Sequence, residues 1–299
     1  MRKIVCVLGP TAVGKTALSV QIAEKYNGVM LSVDSIQVYN KLDIISGKDL
    51  DSLGNIPLKL VDLVSPLTPY NVSDYVSDFK KELDSDLQKL PILVGGTGFY
   101  ISALLNPIET KDIKPNIVLR RELNPLTTSE LQGMLKVLNA EKFLSMNNSD
   151  KNNPRRLIRA IEIEKSEYPK EINESPLRNF EILIIGLRAD KKTLDARINK
   201  RVDERVKHGA LKEAESLFHD YDNLVPQVKQ ASGYKQLFEY FQGKINLEEA
   251  IEKWKTAEHQ NAKKQLTWFK KKKNIEWFDI ESGNFEAQVL QKVEVFLRN

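Results

Sequence analysis

The stretch Lys3-Ile4-Val5-Cys6-Val7-Leu8-Gly9-Pro10-Thr11-Ala12-Val13-Gly14-Lys15-Thr16 decides the architecture of this chain. Lys3 to Leu8 is a short β-rich run, and from Ala17 onward Leu18, Ile22 and Ala23 recur at helical spacing. Between strand and helix, Gly9 to Thr16 satisfies G-x-x-x-x-G-K-[ST]. The glycines let the backbone curl so that its N–H groups point inward at phosphate oxygens, and the helix beginning near Lys15 adds the positive end of its dipole. Lys15 neutralises outer phosphates, and the Thr16 hydroxyl is suited to ligate Mg²⁺. The whole loop, Gly9, Pro10, Thr11, Ala12, Val13, Gly14, Lys15 and Thr16, is expected to hold a diphosphate or triphosphate. It leaves open which reaction follows.

Outward from this loop, strands and helices alternate. Val29 to Val33 reads as a second strand ending at Asp34-Ser35, and Leu58 to Val64 as a third. Val72, Val76, Phe79 and Leu83 mark a helix, and Ile92 to Val94 a strand running into Gly95-Gly96-Thr97-Gly98. The pattern predicts an α/β protein with a P-loop NTPase-like parallel sheet flanked by helices. Alternation breaks near Asn106 and returns at Ile182 to Leu187, so residues 107–179 read as a helical insertion between core segments 1–106 and 180–299. Long helices over about 191–219 and 247–273, a strand over Ile275 to Ile280 and a C-terminal helix complete the chain.

Among 299 residues, 41% are apolar and 29% charged, which excludes a disordered chain. No apolar run approaches bilayer length, and Met1-Arg2-Lys3 with its short apolar run is too brief for a signal peptide. The single cysteine, Cys6, excludes a disulfide framework and suggests a reducing, cytoplasmic setting. Residues 1–150 hold 16 basic against 17 acidic side chains, whereas the remainder holds 29 against 24. That asymmetry points to a polyanion gripped late in the chain.

Sites in such folds form outside the carboxyl ends of the strands. Asp34 is therefore expected to face an acceptor and take its proton, although an N-cap role also fits. Asp62 is read equally as a magnesium-linked acid and as a structural one. Arg197, Arg201 and Arg205 form an i,i+4 stripe beside the apolar stripe Leu194, Ile198, Val202 and Val206.

Together the motifs resemble one family, the tRNA dimethylallyltransferases, also called tRNA isopentenyltransferases. The resemblance lies in Gly9 to Thr16, in Ser32-Val33-Asp34-Ser35-Ile36-Gln37-Val38-Tyr39 and in Val94-Gly95-Gly96-Thr97-Gly98-Phe99-Tyr100. It continues in Asn153-Pro154-Arg155-Arg156-Leu157-Ile158-Arg159-Ala160, Gly233-Tyr234-Lys235 and Ala262-Lys263-Lys264-Gln265-Leu266-Thr267-Trp268. It implies transfer of a five-carbon group from dimethylallyl diphosphate to N6 of the adenosine 3′ of the anticodon, in tRNAs reading codons that begin with U. The cradle would then hold the diphosphate of the allyl donor rather than ATP. By resemblance Asp34 is the general base, Lys15, Thr16 and Mg²⁺ steady the diphosphate, and Thr97 positions the leaving group or the flipped adenosine. Arg197 and Arg201 fall where a diphosphate-binding arginine is expected, while Arg205 reads about equally as a solvated helix edge paired with Asp203 and Glu204. Asp34, Ser35, Ile36, Gln37, Thr97, Arg155, Arg156, Leu157, Ile158, Arg159, Lys263, Lys264 and Gln265 are expected at the tRNA, the insertion reaching its anticodon arm.

Lys263, Lys264 and Lys270 to Lys273 put six lysines around Trp268 and Phe269, a stretch suited to a phosphate backbone. Trp268 itself reads first as core. The partners expected are a tRNA anticodon stem-loop and the allyl donor, with no membrane and a monomeric protein. Three departures from the family pattern stand out. Asp43-Ile44-Ile45-Ser46-Gly47-Lys48 replaces Asp-Ile-Gly-Thr-Ala-Lys, and His259 and Lys264 each replace an arginine. A P-loop kinase acting on a nucleoside or small metabolite is the alternative that Lys15, Thr16 and Asp34 would serve equally well.

Overall fold

The computed structural model describes residues 1–106, 113, 115–167 and 174–299. They form two compact units, one of Met1–Leu105 with Pro176–Asn299, the other of Asn106–Ser175. The first is built on β1 (Arg2–Leu8), α1 (Lys15–Lys25), β2 (Gly28–Val33), β3 (Leu58–Lys59), α2 (Val72–Ser85), β4 (Leu90–Gly95) and α3 (Gly98–Leu105). The second holds α4 (Ile117–Leu123), α5 (Thr128–Leu138), α6 (Ala140–Ser145), α7 (Asn148–Lys151) and α8 (Pro154–Glu164). The first unit resumes with β5 (Phe180–Arg188), α9 (Lys191–Lys207), α10 (Ala210–Phe218), α11 (Pro226–Lys229), α12 (Tyr234–Phe241), α13 (Leu247–Phe269), β6 (Glu276–Asp279) and α14 (Phe285–Arg298). No helix among the described residues is long and apolar enough to cross a membrane.

The six strands among the described residues are all parallel, in the order β3-β2-β4-β1-β5-β6. Runs such as Ile4 to Leu8, each at most 1% exposed, are apolar without alternation because helices cover both faces of the sheet. Cys6 lies inside this layer, and burial pushes its thiol up to about 12, so it is inert. Register sets the functional edge. Leu8 of β1 and Val33 of β2 both align with Gly95 of β4, so the loops carrying Gly9, Asp34 and Thr97 leave one edge of the sheet side by side.

Two expectations need correction. The third strand stops at Lys59 instead of Val64, because Leu60 and Asp62 take left-handed backbone at φ 63° and 57° and turn the chain away. Asp62 thereby reaches Lys48, whose Nζ lies 2.5 Å from its Oδ1, so this carboxylate is held in an ion pair. The helix expected over 191–219 is two, broken at Gly209, whose φ of 106° favours a residue without Cβ.

The second unit has its own core of Leu119, Leu123, Leu131, Leu135, Phe143, Leu157, Ile158, Ala160 and Ile161. Leu157 and Ile158, expected at the tRNA, are packing residues here, 0% and 5% exposed. On a helix whose apolar residues face one core, their side chains turn inward as the arginines beside them turn out. Arg159 is also committed. It donates to the Ile113 carbonyl at 2.6 Å and to Glu162 Oε2 at 3.3 Å. Glu162, 3% exposed, also accepts from Arg120 Nε at 2.6 Å and from the Asn116 N–H at 2.9 Å. Burial would raise its carboxyl, but these donors prevail and hold it below the ordinary range. Its stabilisation is therefore complete above the unfolded carboxylate pKa and disappears as pH falls through the lowered folded value. Glu162→Gln should cost about 1.5–3 kcal/mol near neutral pH, read by denaturant unfolding. A loss that failed to shrink on acidification would contradict the ion-pair account.

Candidate active site

One cleft at the functional edge is lined by Thr11, Lys15, Thr16, Asp34, Gln37, Ser46, Gly47, Lys48, Gly95, Gly96, Arg201 and Gln265. The phosphate-loop conformation explains its sequence. Gly9 has φ 152°, and a Cβ there would stand 2.7 Å from the Leu187 carbonyl oxygen. Gly14 is left-handed at the start of α1 and supplies no side-chain cap, so the first N–H groups of that helix stay available to an anion. Ala12 is left-handed too, at φ 62°. Val13 turns the other way, 1% exposed in the core, and anchors the loop.

Lys15 Nζ donates to the Pro10 carbonyl at 2.7 Å, folding back over its own loop. Burial, reinforced by the nearby Arg201 charge, pushes its ammonium down to about 7. Asp34 Oδ1 accepts the Ile36 N–H at 2.9 Å, and burial holds its carboxyl above the usual range despite that bond and the Lys15 charge. Asp34 is thus both a local turn-former and a carboxylate facing the cleft, which unites the two readings of its sequence position. Thr97 Oγ1 accepts the Ser35 N–H at 3.1 Å, joining the loops after β2 and β4.

Gln37 and Gln265, both expected at the tRNA, line the cleft and brace it. Gln37 accepts from Ser32 Oγ at 2.7 Å and donates to the Gly47 carbonyl at 2.9 Å. Gln265 accepts the Thr11 N–H at 2.8 Å and donates to the Gly96 carbonyl at 3.2 Å, tying α13 to the phosphate loop. Ser35 and Ile36 are half-buried beside Asp34.

Arg201 Nη1 approaches Thr11 Oγ1 at 3.3 Å and its Nη2 pairs with Asp49 at 3.0 Å. Arg197 is exposed, its Nη1 3.8 Å from where a Cβ on Gly14 would stand. Arg205 is not a solvated edge. It is 8% exposed, while Asp203 pairs with Lys255 and Glu204 with Lys200. α9 packs against α10 and α13, and Asp203, two residues before Arg205, reaches Lys255 of α13.

The sequence gives no sign of Glu213, assigns no role to Lys48 and leaves Arg205 between two readings. Lys48, 1% exposed, donates to the Tyr39 carbonyl at 3.0 Å and to Asp43 at 2.6 Å. Glu213 accepts the N–H groups of Asp43, Ile44 and Ile45 at 2.6–2.9 Å, and the Tyr234 hydroxyl at 2.6 Å. The hexapeptide Asp43 to Lys48 is therefore locked from both ends. Tyr234 of the Gly233-Tyr234-Lys235 motif is thereby a partner of Glu213.

Away from the cleft, Lys263, Lys264, Gln260, Thr267, Trp268 and Lys271 line an open groove of about 480 Å³. Trp268 is half-buried, neither wholly core nor surface. One face lies on Gly98, where a Cβ would stand 2.8 Å from the indole Cε2, and Lys272 Nζ sits 4.8 Å from its ring centroid. In the second unit, Arg155 and Arg156 are exposed, and Arg156 pairs with Asp150.

The family model described as IPP transferase matches residues 37–272, and one described as isopentenyl transferase matches residues 2–53. The chain belongs to the IPP transferase family. Curated IPP transferase relatives named tRNA dimethylallyltransferase include that of Pediococcus pentosaceus, 38% identical over 99% of this chain and 97% of its own. That of Streptococcus mutans is 37% identical over 99% of both chains. The full-length tRNA isopentenylpyrophosphate transferase of Bacillus halodurans superposes with a TM-score of 0.71 at 33% identity, covering 100% of this chain and 97% of its own. A eukaryotic dimethylallyltransferase, captured in crystallographic snapshots of it acting on tRNA, gives 0.83 at 25% identity, covering 100% of this chain and 80% of its own. The family and the parallel-sheet architecture expected from the motifs are both borne out.

Proposed function

We propose that this chain transfers the dimethylallyl group of dimethylallyl diphosphate to N6 of the adenosine immediately 3′ of the anticodon, in tRNAs reading codons that begin with U. The observation that carries the reading is the convergence of Lys15, Thr16, Asp34 and Arg201 in one cleft of an IPP transferase chain. The phosphate loop, Lys15 and Arg201 take the diphosphate. As the allylic C–O bond breaks, negative charge grows on the departing diphosphate, and fixed N–H donors and cations stabilise that charge more than the ground state. The N6 lone pair bonds to the allylic carbon and the surplus N6 proton passes to Asp34. A carboxylate raised by burial is the better base.

The donor set suits Mg²⁺. Thr16 offers one hydroxyl at the helix start, and phosphate oxygens and water would complete a hard-cation shell. When bound, the ion would neutralise charge on the diphosphate. No group of three or more His, Cys, Asp or Glu among the described residues offers an all-protein metal cage, which accords with a site completed by substrate.

The adenosine must leave the loop stack to reach the cleft, a cost of about a few kcal/mol that is smallest in a single-stranded loop. The lysine-rich face of α13 supplies a backbone grip, with Arg155 and Arg156 as a second contact on the insertion. Such a substrate fits a cytoplasmic enzyme. Incubation with labelled dimethylallyl diphosphate and unmodified tRNA should yield prenylated adenosine. Phosphoryl transfer from ATP to a nucleoside, without prenylation, would instead support the kinase reading.

Lys263→Ala and Lys264→Ala should each weaken binding to all substrate tRNAs alike. Each should also flatten the slope of log affinity against log salt by roughly 0.7–0.9 per lost phosphate contact. Filter binding across a salt series measures it, and two unchanged slopes would remove this face from the tRNA path.

A further inference from the structure

We infer that Arg205 and Arg201 form a paired guanidinium clamp on one phosphate of the bound diphosphate, and that Gly47 is the residue whose missing side chain lets both reach it. The inference rests on the diphosphate reading of the cleft and adds a binding residue to it.

Arg205 is a buried cation without a counter-ion. Its Nε is buried with no hydrogen-bond partner, and it takes part in no ion pair among the described residues. The carboxylates its own helix could offer are engaged by Lys255 and Lys200, and Asp49 is engaged by Arg201. Glu258 and Asp49 attract it through space, but burial and the Arg201 charge prevail and pull its guanidinium down to about 10. A buried, unpaired charge beside a like charge is an unfavourable arrangement that a bound anion would relieve.

The meeting point is identified by Gly47. A methyl group built there would overlap the Nη2 atoms of both Arg201 and Arg205 and stand 2.9 Å from Arg205 Cζ. The two guanidinium ends therefore converge on a single place, next to a residue that lines the cleft together with Lys15 and Thr11. Gly47 stands where the family pattern reads alanine, and its φ of 69° suits a residue without Cβ. Gln37, holding the Gly47 carbonyl, and Glu213, holding the N–H groups at 43–45, keep this gap open. Two planar forks side by side match phosphate oxygens in a way that a flexible ammonium does not.

The test uses inorganic diphosphate as the probe, titrated calorimetrically into the full chain without tRNA. Arg205→Met keeps much of the volume and removes the charge, and should weaken diphosphate binding by at least about tenfold. Arg205→Lys should fall between it and the unaltered protein. In turnover, Arg205→Met should raise KM for dimethylallyl diphosphate while tRNA affinity stays unchanged. A purely structural arginine would lower thermal stability and leave diphosphate affinity alone, and that result in a folded variant overturns the clamp. Should Arg205→Met not fold, Arg205→Gln carries the same comparison. A protein that binds diphosphate through Arg205 yet never prenylates tRNA would refute the proposed function and leave the clamp standing. One that binds no diphosphate refutes both.

Discussion

Asp34→Asn should lower the single-turnover rate of prenyl transfer by about 10²- to 10⁴-fold, the usual contribution of a positioned general base, while tRNA binds as before. Asparagine keeps the side-chain oxygen that accepts the Ile36 N–H, so the turn after β2 survives and only the proton acceptor is lost. The pH profile supplies a second check. Burial raises the Asp34 carboxyl, so the rate should rise with pH as that group ionises, and Asp34→Asn should abolish this limb. Rapid-quench measurement with pre-bound tRNA reads the step directly. A rate within a few-fold of the unaltered enzyme would mean that another group, or water, takes the N6 proton.

Lys15→Met should reduce prenyl transfer by about 10²- to 10³-fold, as expected when one charge-stabilising donor is removed from a developing anion. It should leave tRNA affinity nearly intact, because the ammonium faces the phosphate loop and bonds to the Pro10 carbonyl. Lys15 also makes diphosphate binding pH-dependent. With its ammonium at about 7, the free protein loses that proton as pH rises past neutrality. A bound diphosphate favours the charged form, so binding at pH 8 should take up a proton, and affinity should fall as pH climbs further. Calorimetry in buffers of different ionisation enthalpy measures the uptake. Its persistence in Lys15→Met would assign the proton to another group.

Much of this was legible along the chain because it depends on local geometry. Gly9 to Thr16 constrains its own backbone, so the loop and its helix can be read from consecutive residues. Asp34 and Thr97 were legible because parallel strands place their carboxyl ends on one edge, and the strand ends were visible. The third strand ends before the apolar pattern of Leu60 to Val64 suggests, because nothing in that run shows that Asp62 turns toward Lys48. The pattern over 191–219 reads as one helix because a single glycine inside it does not announce a left-handed conformation. Gln37 and Gln265 illustrate the same limit: nothing in their motifs shows that Gln37 bonds Ser32 and Gly47, or that Gln265 joins Thr11 to Gly96.

By itself, then, the sequence determined the family, the parallel α/β architecture, the phosphate loop and the two groups expected to handle charge and proton. These follow from backbone conformation and strand-end topology, which short stretches encode. Tertiary structure alone decided which polar side chains face the cleft and which hold the frame. Leu157, Ile158 and Arg159 went to the insertion's own core and ion pairs. Arg205, one turn beyond Arg201, moved from an apparent solvated edge to a buried place against Gly47. The physical reason is that desolvation and ion pairing depend on what lies across space. Residues 47 and 205 meet only after α9 has packed beside the loop that follows β2, and no spacing along the chain records that meeting.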